Sequence, residues 1–262
     1  MKSTGPNSLG QHTLTDEKTL EQIIREAKLA RTEKVLEIGA GEGNITSYLC
    51  MNSGQVTSFE IDKARFEHAK KRLAHFDNLH LLNMNPLKHQ PMNYEFDVFV
   101  SNIPYSRSKE TILWLTDYEF SRAIIMVQRE FARKLLSAPG ERSYRAISVI
   151  CTYCFNIKVL FEVPCSSFSP RPTVSSQVIR LAPSGRELSD ATKKNIMLLF
   201  SQKNRTIHKA ASCLGLKSHI DSKKRICQLN ANEIVEIAGN MPARDWLSSD
   251  AADRQIYTNP EN

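Results

Sequence analysis

Lys34-Val35-Leu36-Glu37-Ile38-Gly39-Ala40-Gly41-Glu42-Gly43-Asn44 is the stretch that decides the fold. Lys34 to Ile38 reads as a buried parallel strand, and a glycine-rich turn follows it directly. Ile45 to Met51 then reads as a helix. Strand, glycine turn and helix form the first βα unit of a Rossmann-like sheet, whose turn admits a nucleotide close to the backbone. A dinucleotide site wants Gly or Ala at the sixth position of the turn, where this chain has Asn44. Glu42 inside the turn would repel a pyrophosphate. S-adenosylmethionine has no phosphate and carries a positive sulfonium, so an acidic turn suits it better. The same two residues argue against a nicotinamide-dependent oxidoreductase.

The pattern continues outward from that unit. Val56-Thr57-Ser58-Phe59 reads as the second strand and runs into Glu60, 21 residues after Gly39, near the spacing expected of a ribose-binding carboxylate. His80–Leu82, Phe96–Val100 and Ala123–Val127 read as three more strands, and Arg129–Ser137 as a helix. Upstream, Thr15 caps a helix whose apolar positions Leu20, Ile23, Ile24 and Ala27 keep helical spacing. Alternating strands and helices imply a mostly parallel sheet covered on both faces. The alternation then stops. Ile147–Val163 and Val174–Leu181 read as two long strands forming a hairpin-like final pair. Pro183-Ser184-Gly185 reads as a linker, and short helices follow from about Thr192. The expected architecture is α/β, a Rossmann-like methyltransferase sheet over residues 1–184, with a small basic helical domain and polar tail over 185–262.

Asn102-Ile103-Pro104-Tyr105 closes the fourth strand. A side-chain amide can accept a hydrogen bond from an exocyclic amino group. Pro104 fixes its own φ and restricts Ile103, so the turn is pre-set. Tyr105 offers a face on which a base can stack. This is equipment for holding a planar amine.

Charge adds a partner. The chain has 262 residues and a net charge of +7. Residues 185–230 hold ten Lys or Arg and three acids, so the whole surplus lies in that segment. Such concentration is the footprint of a nucleic-acid contact, with Lys203, Arg205, Lys209, Lys223, Lys224 and Arg225 as its candidates. Six cysteines are present, and Cys151-Thr152-Tyr153-Cys154 has no second pair at metal-ligand spacing. It is read as two small hydrophobes in a strand, and no metal site is expected. No run of about 18 apolar residues suggests a membrane span, and Met1–Pro6 lacks the apolar core of a secretory signal. A cytoplasmic monomer is expected.

Taken together, these motifs resemble the ribosomal RNA adenine N6-dimethyltransferase family. Asn102-Ile103-Pro104-Tyr105 resembles its signature, and three further segments carry the likeness. Gly10-Gln11-His12-Thr13-Leu14 is similar to an N-terminal element that folds over the cofactor. Phe168-Ser169-Pro170-Arg171-Pro172-Thr173-Val174-Ser175-Ser176 is similar to the family's Phe-x-Pro-x-Pro-x-Val-x-Ser element, and Phe200–Thr206 to the start of its helical domain. The resemblance implies S-adenosylmethionine as cofactor and S-adenosylhomocysteine as product. It implies cofactor contacts at Gln11, His12, Leu14, Gly39, Gly41, Glu60, Asn85 and Asn102. Asn102, Ile103, Pro104 and Tyr105 would serve the target adenine, with Phe168 as a second stacking wall. The implied substrate is ribosomal RNA in the immature small subunit. Two alternatives stand beside it: a large-subunit rRNA methyltransferase of the macrolide-resistance type, and a catalytically silent rRNA-binding assembly factor. The chain departs from the family at three places. Asn85 replaces the usual Asp, Thr13 the usual aromatic, and Ser106-Arg107-Ser108 follows Tyr105, adding a phosphate-reaching charge at Arg107.

Overall fold

The computed structural model describes residues 12–88, 94–214 and 223–242. In chain order the elements are β1 (Thr13–Leu14), α1 (Glu17–Ala27), β2 (Lys34–Ile38), α2 (Asn44–Asn52), β3 (Gln55–Phe59), α3 (Lys63–Arg72) and β4 (Leu79–Leu82). They continue with β5 (Val98–Asn102), α4 (Ser108–Leu115), β6 (Arg122–Gln128), α5 (Arg129–Leu135), α6 (Ala146–Cys154) and β7 (Phe155–Val163). The chain then runs through β8 (Phe168–Ser169), β9 (Ser176–Pro183), α7 (Asp190–Ser201), α8 (Ile207–Cys213) and α9 (Ala231–Gly239). The chain divides into two compact units, residues 1–132 with 157–183, and residues 133–156 with 184–262. One crossing falls at Pro183, beside the expected linker. The others enclose residues 133–156, which a linear division of the sequence does not anticipate.

Seven strands form one sheet in the order β4-β3-β2-β5-β6-β9-β7, and β1 with β8 forms a separate two-stranded pair. From β4 to β6 the strands are parallel, and β9 runs antiparallel to β6. Register aligns Ile38 with Phe59, so β2 and β3 end together, and β5 runs on to Asn102 at the same edge. In a parallel sheet, ligands sit outside the carboxyl ends of the strands. That edge is where every sequence motif of the first unit arrives.

Helix α1 forms as its sequence dictates, with one adjustment. Asp16 rather than Thr15 is the cap, accepting from the Thr19 N–H at 3.0 Å, and Leu20, Ile23 and Ala27 are buried. At the opposite end of the sheet, Arg122 clamps the helix exit. Its guanidinium donates to the Ala27 carbonyl (2.6 Å) and to both oxygens of Glu33 (2.8 and 2.9 Å). The Arg122 hydrogen bond holds the Glu33 carboxyl below its ordinary range. Removing either partner would leave the other's hydrogen bonds unmade.

The expected strand from Ile147 is a helix as far as Cys154, and strand begins only at Phe155. Ala146 to Cys151 are all buried. An element covered on every side shows an unbroken apolar run whether helix or strand, so periodicity could not separate the two. Cys151 and Cys154 are both buried, and burial pushes the Cys151 thiol well up, consistent with an inert packing role. In the second unit, α6, α7 and α9 pack together. The Tyr144 hydroxyl donates to the Leu229 carbonyl at 3.0 Å, and the Asn195 amide to the Ala238 carbonyl at 3.0 Å.

Candidate active site

The glycine turn after β2 is fixed by backbone conformation. Gly39 donates to the Phe59 carbonyl at 2.7 Å, which locks the turn onto the end of β3. Gly43 sits at φ +84°, and a Cβ there would lie 2.7 Å from Leu73 Cδ1. Only glycine meets both conditions. Glu60, 4% exposed, stands at the end of β3. Its two oxygens accept from the Gly41 N–H and the Asp62 N–H, each at 2.8 Å. Asp62 in turn caps α3 through the Arg65 N–H at 3.0 Å. The carboxylate is therefore held in place before any ligand arrives.

Two functional residues here escaped the sequence reading. Glu37 is fully buried in β2, where Oε2 accepts from the hydroxyls of Thr46 (2.7 Å) and Ser58 (2.6 Å). Burial pushes its carboxyl up to about 7. The signal was available: a carboxylate inside an otherwise apolar strand. Asn44, read only as a non-glycine, donates from Nδ2 to the Leu14 carbonyl at 2.8 Å, while Arg72 donates to its Oδ1 at 2.5 Å.

The other rim is built around Asn102. Ser101 donates to the Ile38 carbonyl at 2.6 Å and ties β5 to β2. Asn102 ends β5, Ile103 is buried, and Pro104 (φ −52°) turns the chain into a 3-10 turn over Tyr105–Arg107. The Tyr105 hydroxyl is 2.7 Å from Ser176 Oγ, the last residue of the Phe168–Ser176 motif. Burial raises the Tyr105 hydroxyl above its ordinary value. The Tyr105 ring lies 5.8 Å from the His12 ring at 34°. His12 Nδ1 is 2.8 Å from the Pro170 carbonyl.

These residues line one cavity of about 400 Å³. His12, Leu14, Gly39, Gly41, Glu60, Asn85, Asn102, Ile103, Pro104, Tyr105 and Arg107 all face it, together with Glu37, Asn44 and Arg65. Gln11 lies outside the described residues. Phe168 requires correction. It is 3% exposed, pairs with Leu14 across β1 and β8, and belongs to the apolar core rather than the cavity wall. Asn85 Oδ1 accepts from the Leu87 N–H at 3.1 Å, capping a 3-10 turn. Arg107 is half-exposed and paired with Glu110 at 2.7 Å.

In the second unit, residues 203–207 lie against 224–227 through backbone hydrogen bonds and a Thr206–Arg225 bridge. This brings Arg205, Lys209 and Arg225 around a depression of about 430 Å³ with Asn204 and Thr206. Lys203 and Lys223 do not line it, and Lys224 pairs with Glu233 at 3.1 Å.

Residues 3–242 match the family described as ribosomal RNA adenine dimethylase. A ribosomal RNA small subunit methyltransferase A from Thermotoga neapolitana is 33% identical over 87% of this chain and 88% of its own length. A dimethyladenosine transferase from Plasmodium falciparum superposes with a TM-score of 0.73 at 25% identity, over 86% of this chain and 96% of its own. A 23S rRNA methyltransferase, ErmE, shares the fold with a TM-score of 0.62 at 24% identity, over 86% and 98%.

Proposed function

Because the chain belongs to the ribosomal RNA adenine dimethylase family, we propose that it uses S-adenosylmethionine to dimethylate N6 of adenosines in small-subunit ribosomal RNA. The observation that carries this reading is the placement of Asn102 and Tyr105 on the same cavity as the glycine turn and Glu60. One cavity thus holds an amine-binding amide and a ribose-binding carboxylate.

The chain's residues fit that cofactor. A cavity of about 400 Å³ falls within the range of small-ligand sites. Glu60 retains acceptor capacity for ribose hydroxyls beyond its two backbone bonds. Glu42 gives the turn a negative character, matched to a sulfonium rather than to a pyrophosphate. His12, Leu14, Gly39, Gly41 and Asn85 are the remaining contact positions. When bound, S-adenosylmethionine supplies a methyl already activated on positive sulfur and leaves as S-adenosylhomocysteine.

What remains for the protein is positioning. The amino nitrogen of adenine is a poor nucleophile because its lone pair is delocalised into the ring. Asn102 Oδ1 and the Ile103 backbone carbonyl accept its two N–H groups and draw the nitrogen toward tetrahedral geometry. The localised pair then forms the N–C bond, and the amine proton departs to solvent afterwards. Tyr105 stacks on the base, which must be unstacked from the RNA to enter. Catalysis is orientation plus electrostatics.

Arg107 and the basic residues of the second unit, Lys203, Arg205, Lys209, Lys223, Lys224 and Arg225, bind RNA phosphates in this proposal. The immature small subunit is the substrate particle, and the protein acts as a cytoplasmic monomer. Among the described residues no helix is long and apolar enough to cross a membrane.

The test is transfer of labelled methyl from S-adenosylmethionine to unmethylated small subunits and, separately, to large-subunit rRNA. Label on the small subunit supports the proposal. Label only on large-subunit RNA moves the chain to the resistance-type branch. Bound cofactor with no label on either RNA identifies an assembly factor.

A further inference from the structure

We infer that His12 is a positioning residue for the transfer, and that the strand it leads orients the Asn102 amide and ties it to the cofactor turn. The inference rests on the amine-binding role proposed above for Asn102. Mechanism demands that Oδ1 of Asn102, not Nδ2, meet the target amine. An amide can present either end, and something must choose. The His12 main-chain carbonyl lies 3.4 Å from the Asn102 Nδ2. A carbonyl tolerates only the N–H end of an amide at that place. Facing it with Oδ1 would set two acceptors against each other. With Nδ2 so occupied, Oδ1 is the end left for the substrate, and among the described residues none donates to it.

That carbonyl can choose only if it is itself held. The His12 ring is anchored through Nδ1 to the Pro170 carbonyl (2.8 Å). Thr13 and Leu14 pair with Ser169 and Phe168. The Leu14 carbonyl accepts from Asn44 (2.8 Å), on the glycine turn of the cofactor side. Two carbonyls of one short segment, two residues apart, are therefore gripped by two asparagine amides from opposite rims. Asn44 has no need to be glycine because its side chain does this work. A rigid support behind a reacting group is what converts a present group into an aligned one.

The test compares His12→Ala, His12→Asn and Asn44→Ala in the full chain. His12→Ala is expected to lower kcat at least tenfold, more than it weakens the Kd for S-adenosylhomocysteine read by calorimetry. His12→Asn keeps an N–H for the Pro170 carbonyl and should recover most of kcat. Asn44→Ala should lower kcat more than it weakens cofactor binding. The side-chain amide signal of Asn102, identified in ¹⁵N spectra by its loss in Asn102→Ala, should be ordered in the wild type and mobile in His12→Ala. A changed Kd with kcat intact would make His12 a cofactor ligand only and overturn the inference. So would an Asn102 amide equally ordered in both proteins. That spectrum needs no RNA, so it separates failure of this inference from a wrong substrate, which shows as no transfer by the wild type.

Discussion

The two rims of the cavity are built in different ways. On the cofactor rim, Glu60 takes two backbone N–H bonds of 2.8 Å, from Gly41 and from Asp62 two residues away. Its parts come from one βαβ stretch of the chain. The acceptor rim is assembled from afar. Tyr105 reaches Ser176 across 71 residues, Asn102 reaches His12 across 90, and His12 reaches Pro170 across 158. The local rim is fixed by backbone donors close in the chain, and the distant one by single side-chain contacts, of which the Asn102–His12 contact is the longest at 3.4 Å. In the proposed function, cofactor capture therefore rests on pre-formed backbone geometry, whereas amine alignment rests on tertiary contacts that a single substitution can loosen.

If that contrast is right, the rims can be broken separately. The largest effect is expected at Asn102→Ala, which removes the amine acceptor. Its kcat should fall by about a thousandfold, the scale of losing one electrostatic contact to the reacting centre. Cofactor Kd, read by calorimetry, should move by no more than a few fold. Comparable losses in both quantities would erase the distinction between the rims.

Glu37 gives the next effect, on stability. Its carboxyl is pushed up to about 7 by burial. Between its ordinary value near 4.5 and about 7, the folded state holds a proton that the unfolded state has released. The stability so gained is present at low pH and lost as pH rises through that window. Glu37→Gln should therefore gain on the wild type across that window, by roughly 3 kcal/mol at its end, and the gap should stay flat above it. Thermal melts of both proteins at several pH values read this difference. A gap that does not change with pH would place a charged carboxylate in the apo fold.

Glu60→Gln sharpens the comparison from the cofactor side. An amide end would face a backbone N–H where a carboxylate oxygen now accepts. Cofactor Kd should rise about thirtyfold, with kcat at saturation within about threefold, as expected for a hydrogen bond to a charged group. The smallest effect is expected at Asn85→Asp. A carboxylate can keep the Leu87 N–H and still accept strongly from the cofactor adenine, so Kd should tighten by about three- to fivefold. Unchanged or weaker binding would mean that position 85 does not read the amine of that ring.

Legibility follows the same division. The glycine turn, Glu60 and the alternating strands were readable because their causes are local: glycine φ values, fixed spacing and strand period. Asn102-Ile103-Pro104-Tyr105 was readable as chemistry, but what braces it was not. No pattern in the sequence joins His12 to Asn102 or Tyr105 to Ser176. Phe168 was placed on the wall by the resemblance alone, and no local pattern shows its burial or its pairing with Leu14 across 154 residues. Residues 147–154 were given the wrong element because full burial hides the period. Glu37 was overlooked because it was taken as part of a strand, although a charge in a buried strand demands partners.

The most direct test is where the methyl lands. Unmethylated small subunits are incubated with the protein and S-adenosylmethionine, and their rRNA is digested and analysed by nucleoside mass spectrometry. The account predicts N6,N6-dimethyladenosine with the wild type and none with Asn102→Ala. A methyl on a ring nitrogen or on a ribose oxygen would contradict it.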